Sequence, residues 1–89
     1  MIKFSIYTEN KNIKSIKGII DLYYKGYTLI DTIGIWQGIK EKALKIEIIT
    51  KDKKTYNRIA LNSIIESIKK INTQDCVLLT TEKIKANFI

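Results

Sequence analysis

Apolar residues in this chain change their spacing four times along its length, and the order of those changes leaves few folds open. Ile2, Phe4 and Ile6 alternate with Lys3, Ser5 and Tyr7, the period-two pattern of a half-buried strand. Asn10 or Asn12 is placed to cap a helix. In that helix Ile13, Ile16, Ile20 and Tyr23 recur at helical spacing, with Lys14 and Lys17 on the other side and Gly26 as the stop. Residues 27–35 are rich in β-branched and aromatic side chains and predict a second strand. A third is expected over 43–50, with Leu44, Ile46 and Ile48 facing the core and Lys45 and Glu47 facing water.

Helical spacing then returns. Asp52 is placed to cap a second helix, in which Leu61, Ile64, Ile65, Ile68 and Ile71 line one side. Residues 72–75 read as a turn and 76–81 as a fourth strand. Ile84, Ala86 and Phe88 alternate with Lys85 and Asn87, which predicts a short C-terminal strand. The order βαββαβ is that of the α+β, ferredoxin-like arrangement, with two helices on one face of a four-stranded antiparallel sheet. Residues 1–89 form a single domain on this reading. The other sheet face is then open. A domain this small leaves strand edges and Ile-rich surface free, so a homo-oligomer is expected.

The residue inventory removes several function classes. The chain has no His, and with it go the commonest general base, the commonest metal ligand and the Ser-His and Cys-His nucleophile pairs. The one cysteine, Cys76, reads as a small core residue. No Walker loop or dinucleotide fingerprint is present. Asp31, Glu41 and Glu47 read as surface carboxylates in preference to a cation site. The expectation is a protein without catalytic residues, metal or cofactor, and not an enzyme. No apolar run approaches the roughly 20 residues of a membrane span. Strand pattern begins at Ile2, which leaves no room for a signal peptide. With a single cysteine, this points to the cytoplasm, a host's if the protein is phage-encoded.

The net charge of +7 comes from 15 Lys and one Arg against nine acidic residues. A basic balance favours polyanionic partners. Lys, Ile and Asn are also the residues of AT-rich codons, and Arg is the side chain suited to bidentate phosphate recognition. The charge therefore reads first as solvated surface. Ferredoxin-like RNA-binding modules stack bases on aromatics of the central strands. Residues 43–50 contain no aromatic, so a nucleic-acid partner is not expected.

One segment stands apart from the periodic pattern: Gly34-Ile35-Trp36-Gln37-Gly38-Ile39-Lys40-Glu41. It holds the only Trp and two of the four Gly residues, as a shaped loop would. As a binding loop, Trp36 supplies a stacking face beside Gln37, Lys40 and Lys42 hold a phosphate, and Glu41 accepts hydrogen bonds. Tyr7, on the wet face of the first strand, completes the candidate ligand-binding set. As structure, Trp36 closes the hairpin or plugs a subunit contact, and Glu41 is a solvated turn residue.

Further landmarks are Ile6-Tyr7-Thr8-Glu9, Ile46-Glu47-Ile48, and Asn72, Gln74, Asp75, Val77 and Leu78. With the Gly34–Gly38 segment and Glu41, they resemble small phage- and prophage-encoded ferredoxin-like proteins carrying a Gly-x-Trp-x-Gly loop. This chain departs from them at Ile35, where an aromatic is usual, and at Ala43, where Ser is expected. Its layout is also similar to PII and CutA proteins, which associate through their sheets and bind nucleotides or ions at subunit clefts. PII's long nucleotide loop is missing here. The resemblance implies a small oligomeric anti-defence protein that binds and sequesters a nucleotide-derived immune signal. The alternatives are an anti-CRISPR-like inhibitor that docks on a host defence protein, and a PII- or CutA-like regulator.

Overall fold

The computed structural model describes residues 1–89, and its elements follow the apolar pattern in order. They are β1 (Ile2–Glu9), α1 (Ile13–Ile20), β2 (Thr28–Trp36), β3 (Ile39–Thr50), α2 (Lys54–Asn72) and β4 (Leu78–Lys83). The sheet runs β2-β3-β1-β4, with every neighbouring pair antiparallel. This is the expected ferredoxin-like α+β fold.

The core forms where the two periodicities meet. Phe4 and Ile6 of β1 sit opposite Ile48 and Ile46 of β3, so their inward side chains make one apolar stripe. Ile16 and Ile20 of α1 and Leu61, Ile64 and Ile68 of α2 close over it. Ile6, Ile16, Ile20, Ile46, Ile48, Ile64 and Ile68 are all fully buried. Burying each such side chain contributes about 1.5–3 kcal/mol. That is a large term for a small domain.

The element ends depart from the sequence reading, each for a local reason. The first helix stops at Ile20, well before Gly26, as the Leu22 and Tyr23 amides bond three residues back and tighten the last turn. Asn12 occupies the helix start but caps nothing with its side chain. Its amide instead donates to the Ile71 carbonyl (3.2 Å) and Asn72 Oδ1 (3.0 Å). Asp52 is likewise no cap: α2 begins after Lys53, which supplies no side-chain bond. α2 runs through Asn72 and ends at Thr73 in a left-handed conformation, φ 54°. The fourth strand starts at Leu78, two residues later than expected, and Cys76 is exposed, not a core residue.

Residues 84–89 form no strand. Only the Ile84 amide bonds back, to the Met1 carbonyl (3.2 Å). The alternating residues Ile84, Ala86 and Phe88 join neither edge of the sheet, β2 or β4. No helix is long and apolar enough to cross a membrane.

Candidate ligand-binding face

The expected Gly34–Gly38 loop is a two-residue hairpin. β2 and β3 pair without interruption up to Trp36 opposite Ile39. Gln37 (φ 49°) and Gly38 (φ 78°) both take left-handed backbone, the requirement of the tight turn whose twist matches paired strands. Gly38 meets this without strain. Gly34 stands opposite Glu41, and a Cβ there would lie 3.7 Å from Ala43 Cβ, ordinary contact. The third strand therefore begins at Ile39, not Ala43.

Register then assigns the candidate residues to faces. Side chains alternate along a strand, and Leu44, Ile46 and Ile48 point to the helices. Lys40 and Lys42 share that parity, whereas Ile39, Glu41, Ala43, Lys45 and Glu47 project to the open face. Thr28, Ile30, Thr32 and Trp36 of β2 join them, with Lys3, Ser5 and Tyr7 of β1 and Leu78, Thr80 and Glu82 of β4. Trp36, Glu41 and Tyr7 thus lie on one face, Lys40 and Lys42 on the other, and Gln37 at the turn. The lysines cannot hold a phosphate beside the Trp36 ring of the same chain. Tyr7 is in line with Lys45 and Ile30, six residues from Trp36 along β2, or about 20 Å at strand spacing. Asp31 is separated from Glu41 and Glu47 as well: it faces the helix side and accepts from Asn10 Nδ2 at 2.9 Å.

The hairpin outruns the helical layer. Ile33 and Ile35 have helix-side parity yet are 70% and 68% exposed, and Trp36 and Ile39 are 71% and 64% exposed. An arm with apolar side chains on both faces projects at one end of a molecule 38 Å long.

The centre of the open face is polar and organised. Lys45 Nζ lies 2.9 Å from the Glu47 carboxylate and 5.6 Å from the centre of the Tyr7 ring, a cation–π position. Lys3 reaches Glu47 at 4.0 Å and Glu82 at 3.6 Å. The Lys45 hydrogen bond holds the Glu47 carboxyl below its usual range, and the same bond raises the Lys45 ammonium. Two lysines and two glutamates give this group zero net charge on a chain carrying +7. Beneath it Ser5 is only 2% exposed although it has open-face parity. The pairing of Lys45 with Glu47 is legible as an i, i+2 pair on the wet side of a strand. Lys3 and Glu82 are not, because their approach depends on the β1–β4 register.

The landmark around Asn72 and Gln74 has a structural role. Asn72, 1% exposed, donates to Gln74 Oε1 (3.0 Å) and Thr8 Oγ1 (3.3 Å), and Thr8 in turn donates to Gln74 Oε1. This cluster ties the end of α2 to the end of β1, leaving no buried side-chain polar atom unpaired.

The fold has solved relatives. A DUF3240 family protein from Shewanella baltica OS155 superposes with a TM-score of 0.75 at 12% identity, over 99% of this chain and 93% of that one. A phage SAM lyase in complex with S-methyl-5′-thioadenosine gives 0.72 at 12% identity, over 92% and 80% of the two chains. The same lyase in its apo state gives 0.71 at 12% identity, over 91% and 78%. At this identity the likeness is one of fold. No family model and no curated protein sequence matches the chain. A cavity of about 720 Å³ lies at the opposite end of the sheet from Trp36 and includes none of the six candidate residues.

Proposed function

We propose that this chain is a small phage-type anti-defence protein that withdraws an adenosine-derived small molecule from the host, with S-adenosylmethionine the leading candidate. The observation that carries the reading is the chemistry of the open face. Tyr7 and Trp36 offer aromatic faces, Glu41 and Glu47 carboxylates, and Lys3 and Lys45 cations. S-adenosylmethionine has a planar base, a sulfonium and an ammonium cation, and a carboxylate, so it calls for each of these groups. The phage SAM lyase of the same fold, solved with a thioadenosine, supports this ligand class.

Trp36 and Tyr7 of one chain are too far apart to grip one small molecule. The site therefore uses a second copy, whose hairpin arm brings its Trp36 and Glu41 toward the first copy's Tyr7–Lys45–Glu47 group. The charge neutrality of that group lets two copies of a +7 chain approach there without direct repulsion. Sequestration needs affinity and abundance only, in keeping with a chain without a recognisable general base.

A second reading, cleavage, draws on the same face. The substrate carries its own nucleophile. Its carboxylate can attack the side-chain carbon bonded to sulfur, and that C–S pair leaves to the sulfonium. The products are a thioether, S-methyl-5′-thioadenosine, and a protonated aminolactone, with atoms and charge balanced and no proton taken from the protein. A protein need only hold the reacting atoms close, so the absence of His is no obstacle. Incubation with S-adenosylmethionine followed by denaturation and mass spectrometry separates the readings. Intact recovery after stoichiometric uptake supports sequestration, and appearance of thioadenosine beyond protein equivalents supports cleavage. Unchanged free ligand overturns both.

A further inference from the structure

A cleft of about 720 Å³ lies at the end of the sheet away from the hairpin tip. Four segments build it: the connection from α1 into the start of β2, the end of β3 at Glu47, Ile49 and Thr50, the start of α2, and the C-terminal tail at Ala86, Asn87 and Phe88. Its volume falls in the range of small-molecule sites, about 300–1,000 Å³. Tyr23, Tyr24, Tyr27, Tyr56 and Phe88 line it, a concentration of rings in a chain with eight aromatics in all (one Trp, five Tyr, two Phe).

Much of the wall is fixed before any ligand arrives. Tyr24 donates to Asn57 Oδ1 at 2.8 Å, Tyr27 donates to Asp21 Oδ1 at 2.7 Å, and Tyr56 donates to the Tyr23 carbonyl. The Tyr24 and Tyr56 rings meet edge to face, 6.0 Å apart at 89°. Side chains already held by the fold lose little freedom on binding. Burial, with lesser contributions from Tyr56 and Asp21 respectively, pushes the Tyr24 and Tyr27 phenols up to about 12, so both are uncharged at neutral pH.

The unpaired charge in the cleft is of one sign. Lys25 and Lys53 line it, and neither has a carboxylate within ion-pair distance. The one carboxylate in the lining, Glu47, is already held by Lys45 and Lys3. Aromatic walls beside two unneutralised ammonium groups fit a flat ring joined to an anion.

We propose that this cleft is a second small-molecule site, selective for a planar aromatic group bearing an anion, of the nucleoside monophosphate type. It stands independently of the Tyr7–Trp36 face, although Glu47 borders both. Phe88, 95% exposed at the end of an unpaired tail, is the wall free to close on the ligand.

The test is a titration of the isotope-labelled full chain with adenosine 5′-monophosphate and, separately, with adenosine, followed by amide and indole NMR shifts. The expected result is saturable shifts at Lys25–Thr28 and Ala86–Phe88, with the Trp36 indole unmoved. The monophosphate should bind about tenfold more tightly, the effect of one charge-assisted contact worth 1.4 kcal/mol. A Lys25→Gln, Lys53→Gln double variant should erase that preference while leaving adenosine binding unchanged. Truncation after Lys85, which keeps Ile84 and every strand, should weaken both ligands. Saturable shifts confined to the hairpin, no shifts at all, or an undiminished preference in the folded double variant would each overturn the proposal.

Discussion

Thr73 ends α2 with a left-handed backbone (φ 54°), where a β-branched residue is strained and its exposed side chain gains nothing in return. Thr73→Gly should stabilise the protein by about 1 kcal/mol. In a domain of this size that is a melting temperature higher by about 4–8 °C. An unchanged or lower midpoint would contradict the strain. Glu47 gives a pH prediction. Its carboxyl is held below the ordinary value of 4.5, first through the hydrogen bond from Lys45. Its contribution is therefore complete above the unfolded value and disappears as pH falls through the folded one. Acid melting curves should show the wild type losing stability more steeply than Glu47→Gln below the ordinary carboxylate range. Parallel curves would show that the contact contributes nothing measurable. Both residues also mark what a sequence conveys. The Glu47–Lys45 pair follows from alternation along one strand. The left-handed ending at Thr73 does not, since nothing in Asn72-Thr73-Gln74 distinguishes a turn from a last helical turn until Asn72 is seen buried against Thr8.

The hairpin departs furthest from what the sequence predicts. Two glycines around a Trp suggested a loop, but Gln37 and Gly38 alone make the turn, and Trp36 is the last paired residue of β2. Gln is an unusual occupant of a left-handed turn position, which is why the tight hairpin was hidden. The structure puts Trp36 in water, so Trp36→Ala should cost less than about 1 kcal/mol, the scale of one cross-strand pair with Ile39. Thermal melting of the dilute protein checks this. A loss approaching the roughly 3–5 kcal/mol of a core Trp truncation would contradict the exposed position. Elements made by long apolar patterns, β1 and α2 above all, were legible from their periodicity. Their ends were not. Asn12 and Asn72 spend their side chains on tertiary partners, not on caps, and the C-terminal alternation joins no sheet edge.

At the scale of the molecule, the fold followed from the order of periods, and the grouping of candidate residues did not. Trp36, Glu41 and Tyr7 share a face, whereas Lys40 and Lys42 are turned from it, because β3 already runs from Ile39 and its alternation gives them the parity of Leu44. An exposed apolar arm and a charge-neutral open face should associate. Light scattering over a concentration series should give a mass at least twice 10.3 kDa, and a constant monomer mass would contradict the shared site. Tyr7→Ala and Glu41→Gln act on opposite halves of that site and should each weaken ligand uptake while the fold persists. The most direct test of the proposed function is depletion of free S-adenosylmethionine by the purified, associated protein, with all ligand species counted after denaturation. The account predicts that free S-adenosylmethionine falls with added protein, and that Tyr7→Ala restores it. Free ligand unchanged at every protein concentration would contradict it.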